Sequence, residues 1–312
     1  MDNIAKPEKS IAVLIPCYNE EQTVAQVVKD FRKFLPEAVI YVFDNNSTDK
    51  TAENARAAGA EVVFELHKGK GNVVRAMFEK ITADVYLMVD GDSTYPAEFA
   101  HALVQPILDE KADVVVGRRV AVRREKAYPL FHQFGNKLVC GLVNTLFKAD
   151  FKDVMSGYRA FSRYFVDAIP LSSKGFEIET EMAIKSMVLD MVVREIDVDY
   201  IERPAGSESK LNTFRDGMRV INAIVTILRY ARPLLLFGLL GIFSFSLGII
   251  SGAVVIVEFI KTRYITHVPL AILSVGFVMF GLVSGVTGLI LDNIKNAFNE
   301  LNSYVYRHSK KK

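Results

Sequence analysis

The stretch Tyr86–Pro96, YLMVDGDSTYP, decides how the chain is read. An apolar run stops at two aspartates, Asp90 and Asp92, with only Gly91 between them, and a polar turn closes at Pro96. Neighbouring carboxylates each raise the cost of ionising the other. A pair placed at the end of a buried strand therefore calls for a positive partner. A hard divalent cation such as Mg²⁺ or Mn²⁺ meets that need, because it takes one or two protein carboxylates and completes its shell with phosphate oxygens and water. A solvated Asp-Gly-Asp turn has the same local sequence, so the surroundings must decide between the two.

Working outward, apolar strand-like runs fall at 11–15, 39–43, 61–64, 85–90 and 113–117, with helix-like stretches at 20–34, 49–59, 72–81 and 96–109 between them. The runs are continuously apolar rather than alternating, as in strands covered on both faces. Their alternation with helices predicts an α/β fold around a mostly parallel sheet. Such sheets bind ligands beyond the carboxyl ends of their strands. Polar clusters stand at those ends: PCYNE at 16–20, DNNSTD at 44–49, HKGKGN at 67–72 and DGDSTYP at 90–96. Four clusters along one edge make a site, and they favour the cation reading of Asp90 and Asp92. The site is not an ordinary dinucleotide or phosphate loop. GKGNVV lacks the third glycine of the first motif, and Phe64 stands where the second needs glycine. Gly69 and Gly71 either turn the backbone beside a ligand or simply shape a loop.

Half of the 312 residues are hydrophobic, and two stretches near the end explain much of this. Positions 234–257 and 268–291 carry no charge. Each is about 24 residues, roughly 36 Å as a helix, enough to cross a bilayer with some tilt. The connecting EFIKTRYITH is short, so the two spans form a hairpin. Glycines recur in both spans and permit close helix contact in lipid, which also hints at a homo-oligomer. Positive charge is heavier on the flanks (Arg229, Arg232, Lys295, Arg307 and the terminal lysines) than in the linker (Lys261, Arg263). The head and both termini are therefore expected at the cytoplasmic face of the inner membrane, as a multi-pass protein. A net charge of only +2 argues against a nucleic-acid partner. Cys17 and Cys140 read as two unpaired buried thiols of a reducing compartment. The polar N-terminus predicts no signal peptide.

Several motifs together resemble family 2 glycosyltransferases of the GT-A (Rossmann-like) fold: IAVLIPCYNEEQTV, FDNNSTDKT, HKGKGNVVRA, MVDGDSTYP and DVVVGRR. DVMSGYRAFSR, GFEIETEM and RPAGSESKLNTFRDG are similar to the branch that includes dolichyl-phosphate mannose synthase and bacterial undecaprenyl-phosphate sugar transferases. The resemblance runs from about residue 11 to residue 230 and includes, in bacterial members, a two-span tail. It implies a nucleotide-sugar donor, uridine-linked, bound by Pro16, Tyr18, Asn19 and Glu20, with Asp44 on the uracil or ribose. Lys70 would lie near base and phosphates, and Asn46, Gly71 and Gly91 would complete the donor set. Asp92 is implied as the firmest metal ligand, with Asp90 beside it, for Mg²⁺ or Mn²⁺. Glu179 is the candidate for sugar hydroxyls.

The acceptor end is read from charge and helical periodicity. Arg118 and Arg119 end the fifth strand, Arg159 follows Ser156 in SGYR, and Lys210 follows Ser209 in SESK. Cations gathered beside a metal-bearing site predict a second anion, a lipid phosphate; ordinary surface charge is the bland alternative for Arg119. LFHQFGNKLVCGLVNTLFK, 130–148, and LNTFRDGMRVINAIVTILRY, 211–230, each gather their apolar residues on one helical face. Both are expected as amphipathic helices in the headgroup layer, the alternative being packing against the sheet. The predicted organisation is a catalytic head at 1–210 with its interface helix at 130–148, a juxtamembrane helix at 211–232, a transmembrane hairpin at 233–292 and a basic tail at 293–312.

The expected reaction is inverting transfer of a sugar from a nucleoside diphosphate to a polyprenyl phosphate, undecaprenyl phosphate in a bacterium. A phosphate acceptor arrives already ionised, with a second pKa of about 6, so no general base is needed. Asp90, Asp92, Arg118, Arg159 and Lys210 are the residues expected to carry the transfer, the acids through the metal and the cations by aligning the acceptor. The competing reading from another class is a non-catalytic nucleotide-sugar sensor in the membrane. A processive polysaccharide synthase is the weaker rival, since such enzymes share a Gln-x-x-Arg-Trp segment and this chain has no tryptophan.

Overall fold

The computed structural model describes residues 9–121, 130–147, 149–201, 203, 225, 228, 229 and 232–309. The chain forms two compact units, Met1–Ile224 and Val225–Lys312. Ser209, Lys210 and nearly all of the helix expected at 211–232 lie outside the described residues.

In the first unit the chain runs β1 (Ile11–Cys17), α1 (Val24–Phe34), β2 (Val39–Asp44), α2 (Thr51–Ala57), β3 (Glu61–Phe64), α3 (Lys70–Lys80), β4 (Val85–Met88), α4 (Ala100–Leu108), β5 (Val114–Ala121), α5 (Leu130–Phe147), β6 (Arg159–Ser162), α6 (Arg163–Ala168), α7 (Ile178–Val188) and β7 (Val193–Tyr200). The seven strands form one sheet in the order β3-β2-β1-β4-β6-β5-β7. All pairs are parallel except those of β6, which runs antiparallel to both β4 and β5. The five strands expected from apolar runs are present; β6 and β7 are additional.

The sheet is covered on both faces, which is why its central strands are apolar throughout. Val13 and Ile15 of β1 enter one core with Val24, Val27, Val28 and Phe31 of α1. Ala12 and Leu14 of the same strand enter the other, with Val73, Val74 and Met77 of α3 and Met182 of α7. The α1 set follows the i, i+3, i+4, i+7 spacing of a one-sided helix. Burial of such side chains contributes on the order of 1.5–3 kcal/mol each before the entropy cost of ordering them.

Helix α5 is partly enclosed by the head. Val139, Val143 and Phe147, part of the face expected to meet lipid, are buried there, as is Cys140, and Leu142 of that face is exposed. Packing, not the headgroup layer, accounts for the periodicity of these positions.

The second unit holds α8 (Pro233–Thr262) and α9 (Val268–Ser309). Both are long and apolar enough to span a bilayer, α9 over Val268–Ala297. Ile242, Phe243 and Ile272 are 67–69% exposed, an arrangement that fits lipid rather than water around the pair. Small residues let the helices touch: a Cβ on Gly241 would stand 2.9 Å from the Gly281 carbonyl oxygen, and Ser244 Oγ donates to the Phe277 carbonyl at 2.8 Å. Several glycines are thus used inside the hairpin itself. Helix α9 continues to Ser309, so the expected tail from 293 prolongs the helix rather than leaving it.

Candidate active site

Strand β1 forks at its carboxyl end. The Leu14 carbonyl accepts from Val89 N–H on one side at 3.1 Å, and the Cys17 carbonyl accepts from Asn45 N–H on the other at 2.8 Å. Between these neighbours the sheet order reverses direction, the place where open α/β sheets bind ligands. Pro16 lies beyond the last β4 partner of β1, where a missing N–H removes no ladder bond. A cavity of about 300 Å³ opens there. Pro16, Tyr18 and Glu20 line it from β1, Asn45 from the end of β2, Lys68, Gly69 and Lys70 from the turn into α3, and Asp90, Gly91 and Asp92 from the end of β4.

The acids are held by cations. Lys70 Nζ lies 2.6 Å from Asp90 Oδ1 and 2.6 Å from Glu179 Oε1. Burial alone would lower the Lys70 ammonium, and the two carboxylates more than reverse this, so its pKa stands above the ordinary value. Burial pushes the Glu179 carboxyl up against the pull of Lys70. Asp92 Oδ1 accepts from Thr94 Oγ1 at 2.6 Å and Thr94 N–H at 3.1 Å, and its Oδ2 lies 2.5 Å from Arg203 Nη2. Burial, and then the Asp90 charge, raise Asp92 above the ordinary carboxylate value despite Arg203. In direct contact, two cations, Lys70 and Arg203, serve three carboxylates, those of Asp90, Asp92 and Glu179.

The glycines shape this arrangement. A Cβ on Gly91 would stand 2.5 Å from Cys17 Sγ, so Asp90 and Asp92 can sit over β1 only with glycine between them. A side chain on Gly157 would collide with the Asp90 carboxylate. Gly69 takes φ 125°, and a Cβ on it would collide with the Lys174 carbonyl, as one on Gly71 would with that of Ser173. Gly71 N–H donates to the Lys174 carbonyl at 3.1 Å. Gly69 lines the cavity, and both glycines also admit the neighbouring segment 173–174, a use the sequence did not suggest.

That segment, 172–175, is a strap tied down by buried Glu181 and half-buried Glu177. Glu181 accepts from Ser172 Oγ at 2.7 Å and Ser173 N–H at 2.7 Å, and Glu177 Oε1 accepts from Gly175 N–H at 3.0 Å. Arg75 Nη1 adds a bond to the Ser172 carbonyl at 3.0 Å. The strap delivers Phe176 to the cavity wall, its ring centroid 5.8 Å from Lys70 Nζ.

Not every expected donor residue reaches the cavity lining. Asp44 is buried, with its Oδ1 accepting from Ser47 N–H at 3.3 Å; its neighbour Asn45 lines the cavity instead. Asn45 also clasps the next loop, donating to the His67 carbonyl at 2.8 Å and accepting from Gly69 N–H at 2.7 Å. Asn46 is exposed at φ 61°, as a turn residue. Asn19 accepts from Thr48 N–H at 2.8 Å and so ties the β1 and β2 loops together. These polar residues build the rim more than they face the cavity.

Among the described residues, the arginines expected at the acceptor end stand outside the cavity lining. Arg118 makes a two-pronged pair with Asp197 of β7, both contacts at 2.5 Å. Arg119 makes the same kind of pair with buried Asp153, at 2.7 and 2.8 Å. Arg159 is fully buried, donating to the Ser156 and Val154 carbonyls, and burial lowers its pKa. Ser156 is also enclosed, its Oγ accepting from Tyr158 N–H at 3.2 Å. None of the four lines the cavity. The cation that lines it from the far part of the head is Arg203, in the RPAGSESK segment, where Ser209 and Lys210 were the expected residues. Lys68 and Phe176 were missed as well. Lys68 sits in the same HKGKGN cluster as Lys70, its Nζ 5.2 Å from the Tyr18 ring centroid.

Among the described residues no three His, Cys, Asp or Glu side chains gather into a closed metal cage. The donor chemistry fits a more open site. Asp90 and Asp92 are hard oxygen donors on one cavity, two in number, each already drawing a cation. Two carboxylates with phosphate oxygens and water is a usual set for Mg²⁺ or Mn²⁺.

A mostly parallel sheet with an acid pair at its switch point fits an α/β glycosyltransferase of the GT-A kind, and comparison with known proteins shows that class. Residues 12–169 match the model of glycosyl transferase family 2, and the chain belongs to that family. It is 35% identical to glycosyltransferase AglJ of Haloferax volcanii over 93% of this chain and 95% of that one. It is 28% identical to the dolichyl-phosphate hexose transferase of the same organism, over 70% of this chain and 93% of that one. Among solved structures, glucosyl-3-phosphoglycerate synthase from Mycobacterium tuberculosis, in complex with Mn²⁺, UDP and glucosyl-3-phosphoglycerate, superposes with a TM-score of 0.58 at 22% identity, over 70% of this chain and 79% of that one. The protein is a glycosyltransferase, as its motifs implied.

Proposed function

We propose that the chain transfers a sugar, with inversion, from a uridine diphosphate donor to a polyprenyl phosphate, undecaprenyl phosphate in a bacterium, making a lipid-linked sugar for the cell envelope at the cytoplasmic membrane face. The observation that carries the reading is the single cavity in which Asp90 and Asp92 meet Lys70 and Arg203. Two further features support it: a relative named for dolichyl-phosphate hexose transfer, and two apolar helices suited to a membrane.

Tyr18, Asn45 and Lys68 hold the nucleotide end. Asp90 and Asp92 would hold a divalent cation, which would supply neutralising charge beside the donor diphosphate. Lys70, kept charged by its two carboxylates, fixes the Asp90 carboxylate and adds positive potential beside the phosphates. Arg203, which also pairs with Asp92, offers a planar fork to an anionic group from the cavity wall and grips the acceptor phosphate, together with Lys210 beyond it in sequence. Arg118, Arg119 and Arg159 are withdrawn from that role by their partners. The acceptor oxygen is already ionised near neutral pH, so alignment rather than proton removal limits the attack.

The test is transfer of radiolabel from a panel of UDP- and GDP-sugars to undecaprenyl phosphate by the purified chain in detergent. Label in the organic phase with Mg²⁺ or Mn²⁺, and none with EDTA, is the expected result. No lipid-linked label from any donor in the presence of metal rejects the reading.

A further inference from the structure

The cavity has two ends that differ in chemistry. Sheet order runs β2-β1-β4, so Asn45 marks one end and Asp90 the other, about two strand spacings or roughly 10 Å apart. Tyr18 and Lys68 belong to the first end. Phe176 belongs to the second, because its ring lies 5.8 Å from Lys70 Nζ, which itself contacts Asp90 and Glu179 at 2.6 Å.

We infer that Phe176 is the platform on which the donor's sugar ring stacks, making it a specificity-determining residue; this rests on the donor reading above. A pyranose has one face of C–H groups and a rim of hydroxyls. The C–H face suits the negative face of an aromatic ring. The rim suits fixed hydrogen-bonding charges, which Asp90 and Lys70 provide in the same corner of the lining, with Glu179 buried behind Lys70. A flat apolar surface beside a few placed polar groups is how pockets fix both the position and the orientation of a ligand. The ring is also pre-positioned. The strap before it is bound by Glu181, Glu177 and Arg75, and lies on two glycines that admit no side chain there. A loosely held aromatic would lose part of its gain to ordering; this one is ordered beforehand.

Calorimetric titration of the full chain in detergent with Mn²⁺ tests the inference, with UDP, UDP-glucose, UDP-galactose and UDP-N-acetylglucosamine as probes. The wild type should bind at least one sugar nucleotide more tightly than UDP. Phe176→Ala should lose about fivefold of that advantage, with UDP affinity within twofold of wild type. Phe176→Tyr should keep the advantage, and Phe176→Leu, which preserves bulk, should lose it. The inference is overturned if Phe176→Ala weakens UDP and UDP-sugars equally, if it changes neither, or if no UDP-sugar binds the wild type better than UDP does. Failure of the wild type to bind UDP or any of the sugars would instead strike the donor reading on which the inference rests.

Discussion

Two charged clusters sit in the same head, and they are built to opposite ends. Around Asp90 and Asp92, two cations serve three acids in an open cavity, and the Asp92 carboxyl is left above its ordinary value. Around Arg118 and Arg119, each guanidinium is matched by one carboxylate with both prongs engaged. Asp153 is held below its ordinary value there: burial opposes this, but Arg119 outweighs it. The first cluster has more acids than cations in direct contact and is open to a ligand. The second is satisfied and pins β5 to the 153 loop and to β7. Residue type does not separate a binding site from a structural one; the balance of partners does.

The largest effect should come from breaking the satisfied cluster. Arg119→Ala leaves Asp153 buried without its cation, a cost of about 3–5 kcal/mol, read as a lower melting temperature in detergent. The pH dependence follows from the direction of the Asp153 shift. In the wild type its stabilisation is full above its unfolded value near pH 4 and is lost as pH falls through the lower folded value. In the variant, the unpaired buried carboxylate is relieved by protonation. The melting gap between the two should therefore narrow as the solution is acidified below about pH 4.

Asp92→Asn should act in the opposite manner. Transfer should fall by about 100- to 1,000-fold while melting stays near wild type, because the amide keeps the shape and removes the repulsion with Asp90. Arg203→Ala should weaken the acceptor dependence of transfer by about ten- to a hundredfold, and it should also lower the melting temperature, because buried Asp92 loses its cation. The smallest effect is expected at Arg118. Its pair with Asp197 is partly exposed, so Arg118→Ala should cost less than about 1 kcal/mol and leave transfer within about twofold. A large catalytic loss at Arg118 would erase the distinction between the clusters.

The same distinction shows what was legible in sequence. Strands β1, β2, β4 and β5, the helices between them and the four polar clusters at one sheet edge were readable, because burial inside the sheet leaves a continuous apolar pattern; edge strand β3 was readable only from its short EVVF run. Strand β7, VREIDVDY, was not, since an edge strand carries charges between its apolar residues. Missing β7 hid Asp197 and made Arg118 look free for an anion. Strand β6 is four residues long and starts at Arg159, so an interior arginine looked like a site arginine. Helix α5 shows the same limit: an apolar face has one periodicity whether protein or lipid covers it. Asp90, Asp92, Lys70 and Glu179 were legible and come together, because each lies in a motif at a strand end or on α7 beside it. Arg203 and Phe176 enter the cavity from segments with no periodic signal.

Titration of Mn²⁺ into the full chain with UDP, followed by electron paramagnetic resonance, addresses the acid pair most directly. Loss of the free Mn²⁺ signal at one equivalent in the wild type and not in Asp92→Asn is the predicted result. Equal Mn²⁺ uptake by the two proteins would contradict the assignment of the cavity at Asp90 and Asp92 as the place where the donor diphosphate is held.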